Sequence, residues 1–398
     1  MSSDVHKKII MMYHYHMNKE EQVLLRLINK SQFGSSEPID YSNVDMDALY
    51  NEALNQSVLG LIAPEIPSEY ASGKWMEAIY RQKSSYIRYC HAQDELKNVL
   101  DDAAIPFVIL KGNASAVSYS DPSRRTMGDI DFLVPQDLFD RSKKILINNN
   151  YILVNESAQY TRHIGFLKNG IHFELHRHFS HFEEINIEDY VIEGLANSNI
   201  CSIDGHEFPM LSKLANGLVL LDHFRRHLQS AVGLRQVIDW MMYVYRNLDD
   251  EFWNNEFGPV AKAKGMDILA IVTTRMCQIY LGLPETITWC MSADTETCER
   301  LMNLILDSGN FGRKNGRGTS IEAVTTSIKK NGLFRRLQKA GEFNWKAYHK
   351  HHWLKPFCWI YQGFRYAKQG IKSGRNREQL KNDLKRSKER VEVLKRVR

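Results

Sequence analysis

No C-x-x-C pair occurs among the six cysteines, Cys90, Cys201, Cys277, Cys290, Cys298 and Cys358. Their scatter excludes the common zinc spacings and offers no disulfide framework, so they read as reduced thiols. No stretch approaches the roughly 18 uncharged apolar residues of a membrane-crossing helix, and no transmembrane span is expected. The opening residues MSSDVHKKIIMMYHYHMNKEE lack a signal-peptide apolar core with a small-residue cleavage site, so the expectation is a cytoplasmic location. The glycine-rich stretch DSGNFGRKNGRGTS lacks the G-x-x-x-x-G-K-[ST] order of a P-loop and reads as a mobile loop able to close over a substrate.

What is present fits a globular chain of two or three domains: 398 residues, 43% hydrophobic and 25% charged. The net charge of +5 is uneven, because residues 361–398 carry thirteen Lys and Arg against four Asp and Glu. The basic character therefore belongs to the tail, which reads as a solvated helix, with contact to nucleic acid the less favoured alternative.

Four regions separate. Residues 1–104 form an N-terminal helical region in which EEQVLLRLINKS and the segment from Lys74 to Asp102 carry apolar residues at helical spacing. In residues 105–205, the apolar run IPFVILKG reads as a buried strand, and a second strand covers 129–134. YTRHIGFL and IHFELHRH flank Asn169-Gly170, a strong hairpin signal. Residues 206–360 return to helices in LSKLANGLVLLDHFRRHL, VGLRQVIDWMMYVYRNL and DILAIVTTRMCQIYLGL, and 361–398 is the basic tail. The expected fold class is α+β: a small mixed sheet with flanking helices, N-terminal helices and a helical C-terminal domain.

Asp129 and Asp131 stand two apart on an apolar strand, so their carboxylates share one face. They repel each other and are costly to bury without a cation between them, and a divalent metal ion suits that position. On the hairpin's second strand Ile171, Phe173 and Leu175 share one face, while His172, Glu174, His176 and His178 share the other. The three histidines match no zinc spacing and read as surface residues.

LKGNASAVSYSDPSRRTMGDIDFLV followed by HFELHRH resembles the nucleotidyltransferase fold of the DNA polymerase β type, and specifically bacterial nucleotidyltransferase-family proteins with an ordered LKG, R-x-M-x-D-I-D-x-L-V and E-L-H pattern. The likeness covers about residues 90–180 well and the helical half less specifically. It implies a nucleoside triphosphate such as ATP as donor, a hydroxyl on a small molecule, carbohydrate or protein as acceptor, and release of pyrophosphate. It places magnesium binding and catalysis on Asp129, Asp131 and Glu174, with manganese able to substitute.

The chemistry agrees with that placement. Attack of a hydroxyl on an α-phosphorus needs charge neutralisation, a deprotonated nucleophile and a stabilised leaving group, and two metal ions about 3.5 to 4 Å apart supply all three. Magnesium favours carboxylate oxygens completed by substrate phosphates. Lys111, Gly112 and Asn113 read as the nucleotide-binding turn, with glycine permitting close approach to an anion and Lys111 adding a charge. The superfamily's usual Gly-Gly or Gly-Ser is replaced here by Gly112-Asn113, with a longer gap to Asp129. Arg125 matches the family arginine and is expected to clamp phosphate or fix the loop.

Other features read as structural. His223 and His227 share a helical face, as do Arg235 and Asp239, and both pairs are expected to link packed helices, with cleft lining as the alternative. Trp353, Phe357, Trp359, Tyr361, Phe364 and Tyr366 read as a buried helical stripe in preference to a membrane interface. Beside transfer stand two other classes: a non-catalytic nucleotide- or nucleic-acid-binding module using the basic tail, and metal-assisted phosphoester hydrolysis with water as acceptor.

Overall fold

The computed structural model describes residues 17–155, 163–180, 185–229, 231–315, 333–372 and 377–397. Residues 316–332, which include the last five residues of the expected glycine-rich loop, lie outside them, as do the first 16 residues.

The fold is α+β, with a mixed seven-stranded sheet. Helices α1 (Lys19–Phe33), α2 (Met46–Asn55) and the long α3 (Gly73–Asp102) precede it. The sheet contains β1 (Val108–Ile109), β2 (Ile130–Leu133), β3 (Ile152–Asn155), β4 (His163–Lys168), β5 (Ile171–His176), β6 (Asn199–Ile203) and β7 (His206–Met210). Its order is β3-β4-β5-β2-β1-β7-β6. Strand β2 runs parallel to β5 and antiparallel to β1, which puts the two expected acidic strands side by side at the centre. The β4–β5 hairpin turns at Asn169 (φ 51°) and Gly170 (φ 74°), the left-handed pair that a two-residue turn demands.

Strand alternation divides the interior into two cores. Ile109, Ile130, Phe132, Phe173 and Leu175 face α3 and pack with its Tyr86, Cys90, Leu96 and Leu100. Val108, Leu110 and Leu133 face the other way. There they join the apolar faces of α1, α2, α4 (Lys213–Leu228), α5 (Leu234–Asn247), α6 (Asp267–Leu281) and α7 (Thr295–Ser308). Asp131 has the parity of Leu133. It therefore points to the side of the sheet covered by the helical half.

Two expectations need correction. The basic tail is helical, as α8 (Arg377–Arg396), but it is not solvated all round. Val393 and Val397 belong to the helical core, and buried Arg390 donates to Ser308 Oγ at 2.7 Å. Val393, Leu394 and Val397, apolar residues one to four apart near the end of the tail, are enough to seat its last turns on α7. The aromatic stripe is the second case. Phe334, Trp353, Phe357, Trp359 and Phe364 are exposed, because the helices that carry them bury smaller residues against each other.

Candidate active site

The parallel register of β2 and β5 pairs Asp131 with Glu174. Asp129, two residues earlier, falls on the same side, and the three carboxylates can each bring an oxygen within 4.8 Å of the others. Period-two alternation and one strand pairing thus assemble the three acids expected from the sequence.

Asp131 is 1% exposed and sits at the centre. Its Oδ1 accepts from Lys111 Nζ at 2.8 Å and lies 2.9 Å from His176 Nε2. Burial works against the ionised carboxyl, yet Lys111 and the His176 bond outweigh it and hold the group well below the usual carboxylate range. Asp129 behaves oppositely: burial, then the adjacent Asp131, pushes its carboxyl up. Burial also works against the Lys111 ammonium, but Asp131 and Asp129 raise it above its ordinary value.

One lone-pair set at the centre is left over. Asp131 Oδ2 is buried with no hydrogen-bond partner in the protein. A buried carboxylate oxygen without a donor is costly, and a divalent cation shared with Asp129 and Glu174 is a ligand set that relieves it. The residues present therefore fit the magnesium that the resemblance implies.

The expected nucleotide-binding turn lies beside the acids. Gly112 adopts φ 65° and ψ −114°, a combination reserved for glycine, and an added Cβ would meet Asp129 O at 3.7 Å. Lys111 faces the carboxylates. The Asn113 side chain does not, since it is buried and its Nδ2 donates to Gln93 Oε1 at 3.2 Å on α3.

Arg125 is buried and paired within the protein. Its buried guanidinium forms a two-pronged pair with Asp239, Nε to Oδ1 at 2.7 Å and Nη2 to Oδ2 at 2.8 Å. Tyr119 OH donates to the same Oδ1 at 2.8 Å. The Arg235 and Asp239 expectation accordingly divides: Asp239 is structural, while Arg235 lines a cleft of about 600 Å³ with Asp129, Glu174 and His172. That volume is within the range of small-molecule sites. Arg313 and Asn310, at the start of the glycine-rich segment, line the same cleft.

His176 was expected at the surface and is instead 1% exposed. Its ring is 5.0 Å from that of His163 on β4, and its Nε2 is 3.5 Å from Glu174 Oε2. Desolvation disfavours the imidazolium, but the bonds to Asp131 and Glu174 prevail and raise its pKa. His178 lies apart, with Nδ1 3.4 Å from Glu188. His223 and His227 meet through their Nε2 atoms at 2.9 Å. Burial, then His227 and Lys111, drives His223 well below its ordinary value.

Helix α3 contributes residues that no motif marks. Gln82 donates to Ser123 O and Arg125 O, both at 2.8 Å, and Tyr89 OH donates to Gly128 O at 2.6 Å. With Gln93 these lie seven and four residues apart on one helical stripe, holding the loop that delivers Asp129. Their only sequence signal is the recurrence of polar residues at that spacing.

A family model described as an uncharacterised nucleotidyltransferase matches residues 42–282, more than half of the chain. The chain belongs to this family. The match takes in α2, α3, the whole sheet and the helices through α6, so every residue named at the carboxylate cluster lies within it. Comparison with curated proteins gives no match.

Proposed function

We propose that this nucleotidyltransferase-family protein moves a nucleoside monophosphate from a nucleoside triphosphate to a hydroxyl acceptor, with release of pyrophosphate. The observation that carries the reading is the buried Asp131, in register with Glu174 and beside Asp129, with one carboxylate oxygen lacking a protein donor. Asp129, Asp131 and Glu174 would hold magnesium, or manganese in its place. Bound there, the metal supplies neutralisation of phosphate charge and a lowered pKa for the acceptor hydroxyl.

The chain's own groups do the rest. Lys111 extends from the Gly112 turn into the cluster, where its ammonium complements phosphate oxygens as well as Asp131. Gly112 lets the backbone approach an anion without a side chain in the way, and Asn113 contributes through its main chain. Arg235 offers a cation from the facing helical wall, in the role first expected of Arg125. Glu174, half-exposed to the cleft, is available to receive the acceptor proton. His176 holds Asp131 and Glu174 in place.

The test measures binding and turnover together. Calorimetric titration with each non-hydrolysable triphosphate should show binding that requires magnesium or manganese, and pyrophosphate should appear when sugar, protein or RNA hydroxyls are supplied. Asp131→Asn should abolish turnover by at least about a thousandfold while circular dichroism is unchanged. Metal-independent binding that survives this substitution would instead support a non-catalytic module.

A further inference from the structure

Residues Leu333–Asn344 and Cys358–Lys372 form two helices, α9 and α10, packed as a hairpin through Lys346–Lys350 and His352–Phe357. The hairpin is sided in an unusual sense. Its contact is made by Gly341, which leaves no room for a Cβ against the Cys358 backbone, and by buried Cys358 and Gln362. The large side chains are outside: Phe334 is 63% exposed, Trp353 71% and Phe364 75%. Phe357, Ile360 and Phe364 follow one another at i, i+3 and i+7, and the Phe334 and Trp359 rings lie 5.8 Å apart. These exposed groups make an apolar face of the kind that folded chains keep for an interaction.

Cations accompany that face. Residues 333–372 contain nine Lys and Arg against Glu342 alone, and Arg335, Lys350, Lys355 and Lys368 are exposed. An anionic occupant that accepts protruding apolar groups complements a hairpin of this charge. A base-stacking site would hold its rings in a positively charged groove, whereas these side chains stand out into solvent. Anionic lipid satisfies both demands, because aromatic side chains enter the headgroup boundary while Lys and Arg meet the lipid charge. No helix among the described residues is long and apolar enough to cross a membrane.

We propose that the hairpin of α9 and α10 is a peripheral docking element that lays its aromatic face on an anionic membrane surface. The proposal does not depend on the chemistry at Asp131. Docking there would confine the cleft to acceptors presented at, or diffusing near, that surface.

The experiment is co-sedimentation of the full chain with vesicles of phosphatidylcholine alone and of phosphatidylcholine mixed with phosphatidylglycerol. Binding should be at least about tenfold stronger to the mixed vesicles and should weaken as salt is raised. Trp353→Ser with Phe364→Ser should weaken it by about tenfold or more, and so should Lys350→Glu with Lys355→Glu. These side chains are solvent-facing, so the unfolding midpoint should stay at the wild-type value; if the serine pair fails to fold, the charge-reversal pair carries the test. Failure to sediment with mixed vesicles, or wild-type sedimentation by the charge-reversed chain, overturns the proposal. Single-stranded RNA binding or self-association that is lost in these variants, without vesicle binding, overturns it in favour of those occupants.

Discussion

His176 shows how a side chain can be placed on the right face and still be misjudged. Alternation along β5 groups it correctly with Glu174, but a polar face on a hairpin suggests solvent. The side of the sheet it shares with Asp131 and Leu133 is covered by the helical half, which the local pattern of β5 does not show. Its expected role is to position Asp131, so His176→Ala should weaken manganese binding by about 10- to 100-fold, read by electron paramagnetic resonance titration. His176→Gln keeps a donor of similar reach and should restore part of the affinity, which a purely packing role would not allow. Arg125 makes the converse point, since its buried pair with Asp239 cannot be inferred from its position near the aspartates. Arg125→Ala strands a buried carboxylate and should cost about 3–5 kcal/mol in denaturant unfolding. Conservation of the measured nucleotide affinity per folded molecule would agree with a structural role; a lost affinity at unchanged stability would contradict it.

Among the elements, β2 and the β4–β5 hairpin are the most legible, because Asp129-x-Asp131 and Asn169-Gly170 each impose a local geometry. Helix α3 is legible as a helix, but not as the support of the site. Its function lies in Gln82, Tyr89 and Gln93, whose partners are 41, 39 and 20 residues away in the chain. A similar long-range fastening joins Asp250 to residues 288 and 289. Asp250 accepts from Thr288 N at 2.8 Å and Trp289 N at 3.1 Å, and the Trp289 ring stacks on Trp253 at 3.8 Å. Slight burial pushes the carboxyl up, but the Thr288 and Trp289 bonds outweigh it and lower its pKa below 3.8. A depressed folded-state pKa contributes stability above the unfolded value and loses it as pH falls through the folded one. Asp250→Asn should therefore cost about 1 kcal/mol at neutral pH, with the difference from wild type shrinking below about pH 4. Tryptophan fluorescence during urea unfolding at several pH values measures it; a difference independent of pH would exclude the ionised latch.

At the scale of the whole molecule, the cleft lies between two cores. The sheet supplies Asp129 and Glu174, and the helical half supplies Arg235 and Asn310. Sequence periodicity finds both halves but not the way the ends of the chain join them: α1 and the last turns of α8 enter the same core from opposite ends. This changes what the basic tail should do. A tail acting as a free nucleic-acid arm would, on removal, take binding with it and leave stability intact. The docked tail predicts the reverse, because Val393 and Val397 are buried, Arg390 bonds to Ser308, and Arg396 lies 3.4 Å from Asp294 Oδ2 and 3.3 Å from Glu296 Oε2. The salt bridges are exposed and add little, so the two valines set the scale, about 3 kcal/mol after allowing for residual burial in the unfolded chain. Removing residues 377–398 should lower the thermal midpoint measurably while leaving affinity for a metal-supported triphosphate near wild type, since no residue lining the cleft lies in that segment. Unchanged stability with lost nucleotide affinity would return the tail to the role of a binding arm, and the two readouts separate these cases in one preparation.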